Sequence, residues 1–177
     1  MKFVLKISLL ISLAVCEAKV KAVTIGLIGD STVAVQSGWG PAFAERFEDR
    51  ATIVNYAKNG ATLKALSKKL DELVQLKPDY VLIQFGHNDQ KRYDTKVYRA
   101  HLQSYVDRIR KAGGKPIIVS SVTRRSFDVY GRIVTNLVQN EKYSYKATLT
   151  DYARAAEALA TVSYTHLRAH ETREDRV

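Results

Sequence analysis

Two short polar motifs carry the chemistry in this sequence. Gly29-Asp30-Ser31-Thr32 sets a hydroxyl directly after the apolar run Val23 to Ile28. Gly86-His87-Asn88-Asp89 sets an imidazole, a side-chain amide and a carboxyl directly after Tyr80 to Phe85. A serine acts as a nucleophile when its hydroxyl is exposed, donors hold the developing oxyanion and a base takes the proton. The amide of Asn88 is a donor of that kind, so the pair points to acyl transfer or ester hydrolysis. A third element, Asn55 to Ala61, contains Gly60, whose backbone N–H is a further candidate donor. Each element also has a plainer reading. Asp30 and Ser31 are good helix caps, Asn88 and Asp89 suit an Asx turn, and Gly60 suits a loop position with positive φ. His87 shares a turn with Asn88 and reads as ordering that loop rather than as the base.

The elements that must position these motifs alternate between strand and helix. Strands are expected over Val23 to Ile28, Thr52 to Asn55, Tyr80 to Phe85 and Pro116 to Ser120. Helices are expected over Gly40 to Arg50, Leu63 to Leu76, Thr95 to Ala112 and Tyr143 to Thr161, from apolar residues at helical spacing. Gly113-Gly114 ends the third helix by permitting positive φ. The order βαβαβαβ predicts a parallel sheet with right-handed crossovers and helices on its faces. Ligands bind outside the carboxyl ends of such strands, so the motifs face one crevice. Ser121 to about Asn140 is expected to be a long loop that shapes a binding site.

Composition narrows the setting. Hydrophobic residues make up 46% of 177 residues, enough for one domain with its own core. Lys2 and Lys6 precede an apolar run from Ile7 to Val15, and Ala18 suits cleavage, so residues 1–18 read as a secretory signal peptide. Secretion or export to a periplasm follows. Cys16 is the only cysteine and falls within that leader. Disulfides, cysteine catalysis and cysteine-ligated zinc are therefore excluded from the folded part. The formal charge of +10 suits an anionic partner, or else a solvated basic surface. For an exported chain that partner is an acidic polysaccharide rather than nucleic acid or a membrane.

The segment from Val162 to Val177 is read separately. Val-Ser-Tyr-Thr-His-Leu-Arg-Ala-His-Glu-Thr resembles one reading frame of a transposase adapter. Residues 162–177 are accordingly taken as a non-native tail, and His166 and His170 are not counted as catalytic candidates. The domain is expected to occupy residues 19–161.

Taken together, the motifs resemble the SGNH (GDSL-like) hydrolases, whose blocks contain a serine, a glycine, an asparagine and a histidine. Within that superfamily the chain is most similar to the rhamnogalacturonan acetylesterase group. Thr32, Gly38-Trp39-Gly40, Gln84 to Gln90 and Thr123-Arg124-Arg125-Ser126-Phe127 carry that finer likeness. The resemblance spans roughly residues 23–160. It implies a flavodoxin-like α/β/α sandwich with a parallel sheet, and ester hydrolysis on an acetylated plant cell-wall polysaccharide. It implies Ser31 as nucleophile, with Gly60 and Asn88 in the oxyanion hole. Asp30, His87 and Asp89 would support them. No metal or organic cofactor is implied, and a monomer is expected. Arg124 and Arg125 are candidates for substrate carboxylates, because guanidinium groups match carboxylates in geometry. The family's base is a histidine in an Asp-x-x-His block, and this sequence contains no such block. The fold is therefore expected to lack its C-terminal part, and the chain as written to be nearly inactive. The alternatives are an SGNH lipase or thioesterase, a xylan acetylesterase, or a non-catalytic carbohydrate-binding protein.

Overall fold

The computed structural model describes residues 22–122, 126–127, 130–134 and 147–163. Four strands form one parallel sheet: β1 (Val23–Gly29), β2 (Ala51–Asn55), β3 (Tyr80–Gln84) and β4 (Lys115–Ile118). Their spatial order is β2-β1-β3-β4. Leu27 lies between Asn55 of β2 and Leu82 of β3, and Gly29 pairs with Gln84. After β2 the chain crosses back to the far side of β1. The sheet therefore changes winding direction between β1 and β3, the place where α/β sheets open a crevice.

Successive strand residues face opposite sides of the sheet, and two apolar layers result. Ile25 and Leu27 face α1 (Gly40–Glu45), where Val33, Trp39, Phe43 and Leu82 complete the layer. Ile28, Val81 and Ile83 face the larger layer. That layer is built by α2 (Ser67–Gln75), α3 (Thr95–Lys111) and α4 (Leu149–Val162). Leu70, Leu73, Leu102, Tyr105 and Tyr152 fill it, each at most 2% exposed. Burying one such aliphatic side chain stabilises the fold by roughly 1.5–3 kcal/mol. The result is the α/β/α sandwich expected from the sequence.

Several boundaries differ from expectation, each for a local reason. The helix α1 stops at Glu45, because Phe47 N–H donates to the Ala44 carbonyl at 3.0 Å and Arg50 N–H to the Phe47 carbonyl at 2.8 Å, which winds the chain into turns. The helix α2 starts at Ser67 instead of Leu63. Leu63 gives its N–H to Asp89 Oδ1 (3.1 Å), and its carbonyl takes the Tyr105 hydroxyl (2.6 Å). With the Leu63 carbonyl taken, Ser67 N–H closes on the Lys64 carbonyl (3.4 Å), and Leu70 N–H then bonds the Leu66 carbonyl (2.9 Å) as the helix sets in. The last helix begins at Leu149 behind a capping box, in which Thr148 and Asp151 satisfy each other's backbone N–H groups. It runs through Val162, and the carbonyl of buried Ser163 accepts from Arg110. The expected loop after Ser121 contains a short antiparallel pair, β5 (Ser126–Phe127) and β6 (Ile133–Val134). Among the described residues, no helix is long and apolar enough to cross a membrane.

Candidate active site

The chain turns sharply after β1. Asp30 N–H donates to the Gln84 carbonyl at 3.2 Å, and the Asp30 carbonyl accepts from Val33 and Ala34 N–H, both at 3.1 Å. Ser31 sits in the first turn and is half-buried. Asp30 is fully buried. Its Oδ1 takes Thr32 N–H at 2.9 Å, so the side chain bonds its own turn two residues on, as Asx motifs do. The next helix begins only at Gly40, with Trp39 as its N-cap, so Asp30 closes an Asx turn beside the nucleophile candidate instead of capping a helix.

A polar network lies beneath this turn. The Thr32 hydroxyl is 2.8 Å from Asp30 Oδ1 and 2.9 Å from Gln84 Oε1. With one proton to give, it binds one of the two at a time. Gln84 Oε1 also accepts from Trp39 Nε1 at 2.7 Å, while Gln84 Nε2 donates to the Ser120 carbonyl at 2.8 Å. Gln84 thereby joins the ends of β1, β3 and β4. Asn55, at the end of β2, donates from Nδ2 to the Val33 carbonyl at 2.9 Å.

The Gly60 loop is held from two sides. Lys58 N–H donates to the Gly29 carbonyl at 3.0 Å, and Ala61 N–H to the Lys58 carbonyl at 3.1 Å. Gly60 takes φ +74° at the third position of that turn, where a side chain is rarely accommodated. On the other side Asn88 Nδ2 donates to the Ala61 carbonyl at 3.0 Å, and Asp89 Oδ1 accepts from Leu63 N–H. Asn88 and Asp89 therefore do more than close their own turn: both clamp the Gly60 loop. Asp89 is fully buried, and burial pushes its carboxyl up to about 7, against the Leu63 N–H that lowers it and with the Asp30 charge adding to the rise. His87 Nδ1 lies 3.9 Å from Asp30 Oδ2, an approach across two strand ends rather than within its own turn.

The Asn88 turn rests on Ser121. Gly86 has φ +142°, and a Cβ there would lie 2.0 Å from Ser121 Oγ. Ser121 in turn donates to the Phe85 carbonyl at 2.7 Å. Gln90 Nε2 donates to the Ala147 carbonyl at 3.2 Å, so both the departure and the return of the β5–β6 excursion are fastened to this turn.

The loops carrying Ser31, Gly60 and Asn88 are thus bonded to one another at the carboxyl end of the sheet. Arg124 and Arg125 lie outside the described residues, as do residues 1–18, His166 and His170. Among the described residues no three His, Cys, Asp or Glu side chains are grouped to hold a metal ion. The motifs alone assign no role to Ser121 or Lys91, and include Gln84 only as part of the Gln84 to Gln90 likeness. The physical signal for its role is a polar residue closing the otherwise apolar strand Tyr80–Gln84, since buried polar groups are the informative exceptions.

Comparison with known proteins agrees with this geometry. Residues 27–173 match the GDSL-like Lipase/Acylhydrolase family. Rhamnogalacturonan acetylesterase RhgT of Bacillus subtilis (strain 168) is 36% identical over 154 residues, which is 79% of this chain. The chain spans 61% of that relative's length. Among solved structures, an acetyl xylan esterase, AlAXEase, superposes with a TM-score of 0.65 at 16% identity, covering 82% of this chain and 76% of that one. The psychrotrophic esterase EstA from Pseudoalteromonas sp. gives 0.61 at 20% identity, covering 82% and 75%. With the fold, the three linked loops and the match over most of its length, the chain belongs to the GDSL-like lipase/acylhydrolase family.

Proposed function

We propose that this chain is part of an exported carbohydrate esterase that removes acetyl groups from an acidic plant cell-wall polysaccharide of the rhamnogalacturonan or pectin type. The observation that carries the reading is the Asn88–Ala61 bond at 3.0 Å. It sets a side-chain amide beside the Gly60 turn, one strand away from Ser31. In this reading Ser31 Oγ attacks the acetyl carbonyl. The backbone N–H groups of Ser31 and Gly60 and the second N–H of Asn88 Nδ2 receive the oxyanion. Collapse of the tetrahedral intermediate releases the sugar hydroxyl and leaves acetyl-Ser31, which water then hydrolyses.

Two further points support the substrate class. The relative that matches 79% of this chain is a rhamnogalacturonan acetylesterase by name. The Gly60 and Asn88 loops also expose more cations than acids: Lys58, Lys64 and Arg92 are exposed with Asp94 beside them, whereas Asp30 and Asp89 are fully buried. Such a rim favours a uronate-bearing chain. The proton acceptor of the mechanism is the family's Asp-x-x-His histidine, a block these 177 residues do not contain. Turnover by the chain alone is then slow, within the roughly 10³–10⁴-fold over water that survives loss of a triad member.

The test pairs labelling with product release. A fluorophosphonate should modify Ser31, read by peptide mass spectrometry. Slow acetate release from acetylated rhamnogalacturonan should fall in Asn88→Ala, because the rate that survives loss of a triad member rests on the oxyanion hole and binding. No label on Ser31, together with acetate release indifferent to Asn88→Ala, overturns the reading. Polysaccharide binding that survives Ser31→Ala with no acetate release at all favours a carbohydrate-binding protein instead.

A further inference from the structure

We propose that Lys91 is a positioning residue that sets the amide of Asn88 as an oxyanion donor. The inference rests on the esterase reading above and adds a residue to it. Asn88 is followed by a single turn of 3₁₀ helix, Asp89–Lys91. With three residues per turn, side chains at i and i+3 eclipse, so Lys91 stands over Asn88. Lys91 N–H donates to the Asn88 carbonyl at 3.2 Å, and Lys91 Nζ donates to Asn88 Oδ1 at 3.3 Å.

The orientation of an asparagine amide is decided by its partners. Here the two partners demand opposite ends. The Ala61 carbonyl accepts only from the nitrogen (3.0 Å), and the Lys91 ammonium donates only to the oxygen. Together they exclude the flipped amide, which would set the Asn88 oxygen against the Ala61 carbonyl and its NH₂ against an ammonium. Nδ2 carries two protons and Ala61 takes one, which leaves one for the oxyanion. The ammonium does a second thing. By drawing charge toward Oδ1 it polarises the amide and strengthens the remaining N–H as a donor, as successive hydrogen bonds in a network polarise one another. Asn88 is only 9% exposed, so little solvent competes with either effect.

Lys91 is thus assigned to the reaction through Asn88 and not through substrate charge. Kinetics distinguish the two. With p-nitrophenyl acetate, a neutral ester, Lys91→Met should lower kcat about tenfold, below the 10²–10³-fold typical of losing a donor outright. KM should stay within about twofold, and Lys91→Arg should recover most of kcat. In an Asn88→Ala background Lys91→Met should change nothing further, because a residue acting through another is silent once that one is gone. A full additional loss in the double variant, or a loss confined to KM for an acetylated uronate oligosaccharide, overturns the proposal.

A readout independent of turnover keeps it testable if the esterase reading itself fails. The side-chain amide resonances of Asn88, identified by their loss in Asn88→Ala, should shift clearly in Lys91→Met and return toward their original positions in Lys91→Arg. Unmoved resonances in Lys91→Met, with the thermal midpoint unchanged, also overturn it. Absence of any ester turnover by the parent chain above the rate in water counts against the esterase reading alone.

Discussion

Trp39 Nε1 donates to Gln84 Oε1 at 2.7 Å, linking the start of α1 to the end of β3 directly beneath the Ser31 turn. Trp39 is the only tryptophan of the chain, so its emission reports on this one joint. Replacing Gln84 with Leu removes the acceptor for Trp39 and the donor for Ser120 in one step. Each buried polar group left without a partner costs roughly 1–3 kcal/mol. Gln84→Leu should therefore lower the urea midpoint by an amount equivalent to about 2 kcal/mol or more, and should shift Trp39 emission in the folded state. Gln84→Glu keeps an oxygen for Trp39 and should leave the emission closer to the parent's. Identical spectra for all three proteins would show that the joint does not hold Trp39.

Asp89 makes stability depend on pH in an unusual direction. Its carboxyl titrates at about 7 in the fold, against 3.8 for a free aspartate, chiefly because it is buried. Between those values the folded state holds a proton that the unfolded chain has lost. Stability from this group is thus fully present below about pH 4 and declines as pH rises toward 7, at up to about 1.4 kcal/mol per unit. Asp89→Asn keeps an Oδ1 acceptor for Leu63 N–H and abolishes the titration. The variant should gain on the parent as pH rises from 5 to 8, measured by urea denaturation at each pH. A constant difference across that range would place the Asp89 titration elsewhere. A neutral Asp89 also suits its position, since a carboxylate next to Asn88 would oppose an oxyanion held there.

The readable parts of the sequence were those written locally. Four apolar runs announced four strands, and the serine and asparagine motifs stood at two strand ends that the topology makes neighbours. What periodicity could not show was backbone committed over distance. Leu63 looks helical by its spacing with Leu66, Leu70 and Leu73, yet its N–H goes to Asp89 and its carbonyl to Tyr105, 26 and 42 residues away. Gln84 is the same case for side chains, with partners 36, 45 and 52 residues distant. The strands of the β5–β6 pair have two residues each, too few for alternation to register. Lys91 was passed over because a lysine in a turn is ordinarily solvated. Only the 3₁₀ geometry brings it onto Asn88.

Gly60 and Gly86 both hold positive φ, and the structure separates their costs. At Gly60 (φ +74°) a Cβ would meet nothing within 4 Å, so Gly60→Ala carries only the backbone penalty of the left-handed region, about 1–2 kcal/mol. At Gly86 (φ +142°) a Cβ would sit 2.0 Å from Ser121 Oγ, so Gly86→Ala meets strain and collision together. Ser121 cannot yield without giving up its 2.7 Å bond to the Phe85 carbonyl. Gly86→Ala should therefore lose at least twice the stability that Gly60→Ala loses. The double variant Gly86→Ala/Ser121→Gly, which removes the hydroxyl in the way, should recover part of it. Fluorophosphonate labelling of Ser31 should follow the same order if the Asn88 turn presents its amide to the serine: a modest slowing in Gly60→Ala, a severe one in Gly86→Ala, and partial return in the double variant. Equal losses in the two single variants would mean that the Ser121 contact does not fix the turn, and that the amide is held by the Ala61 and Lys91 bonds alone.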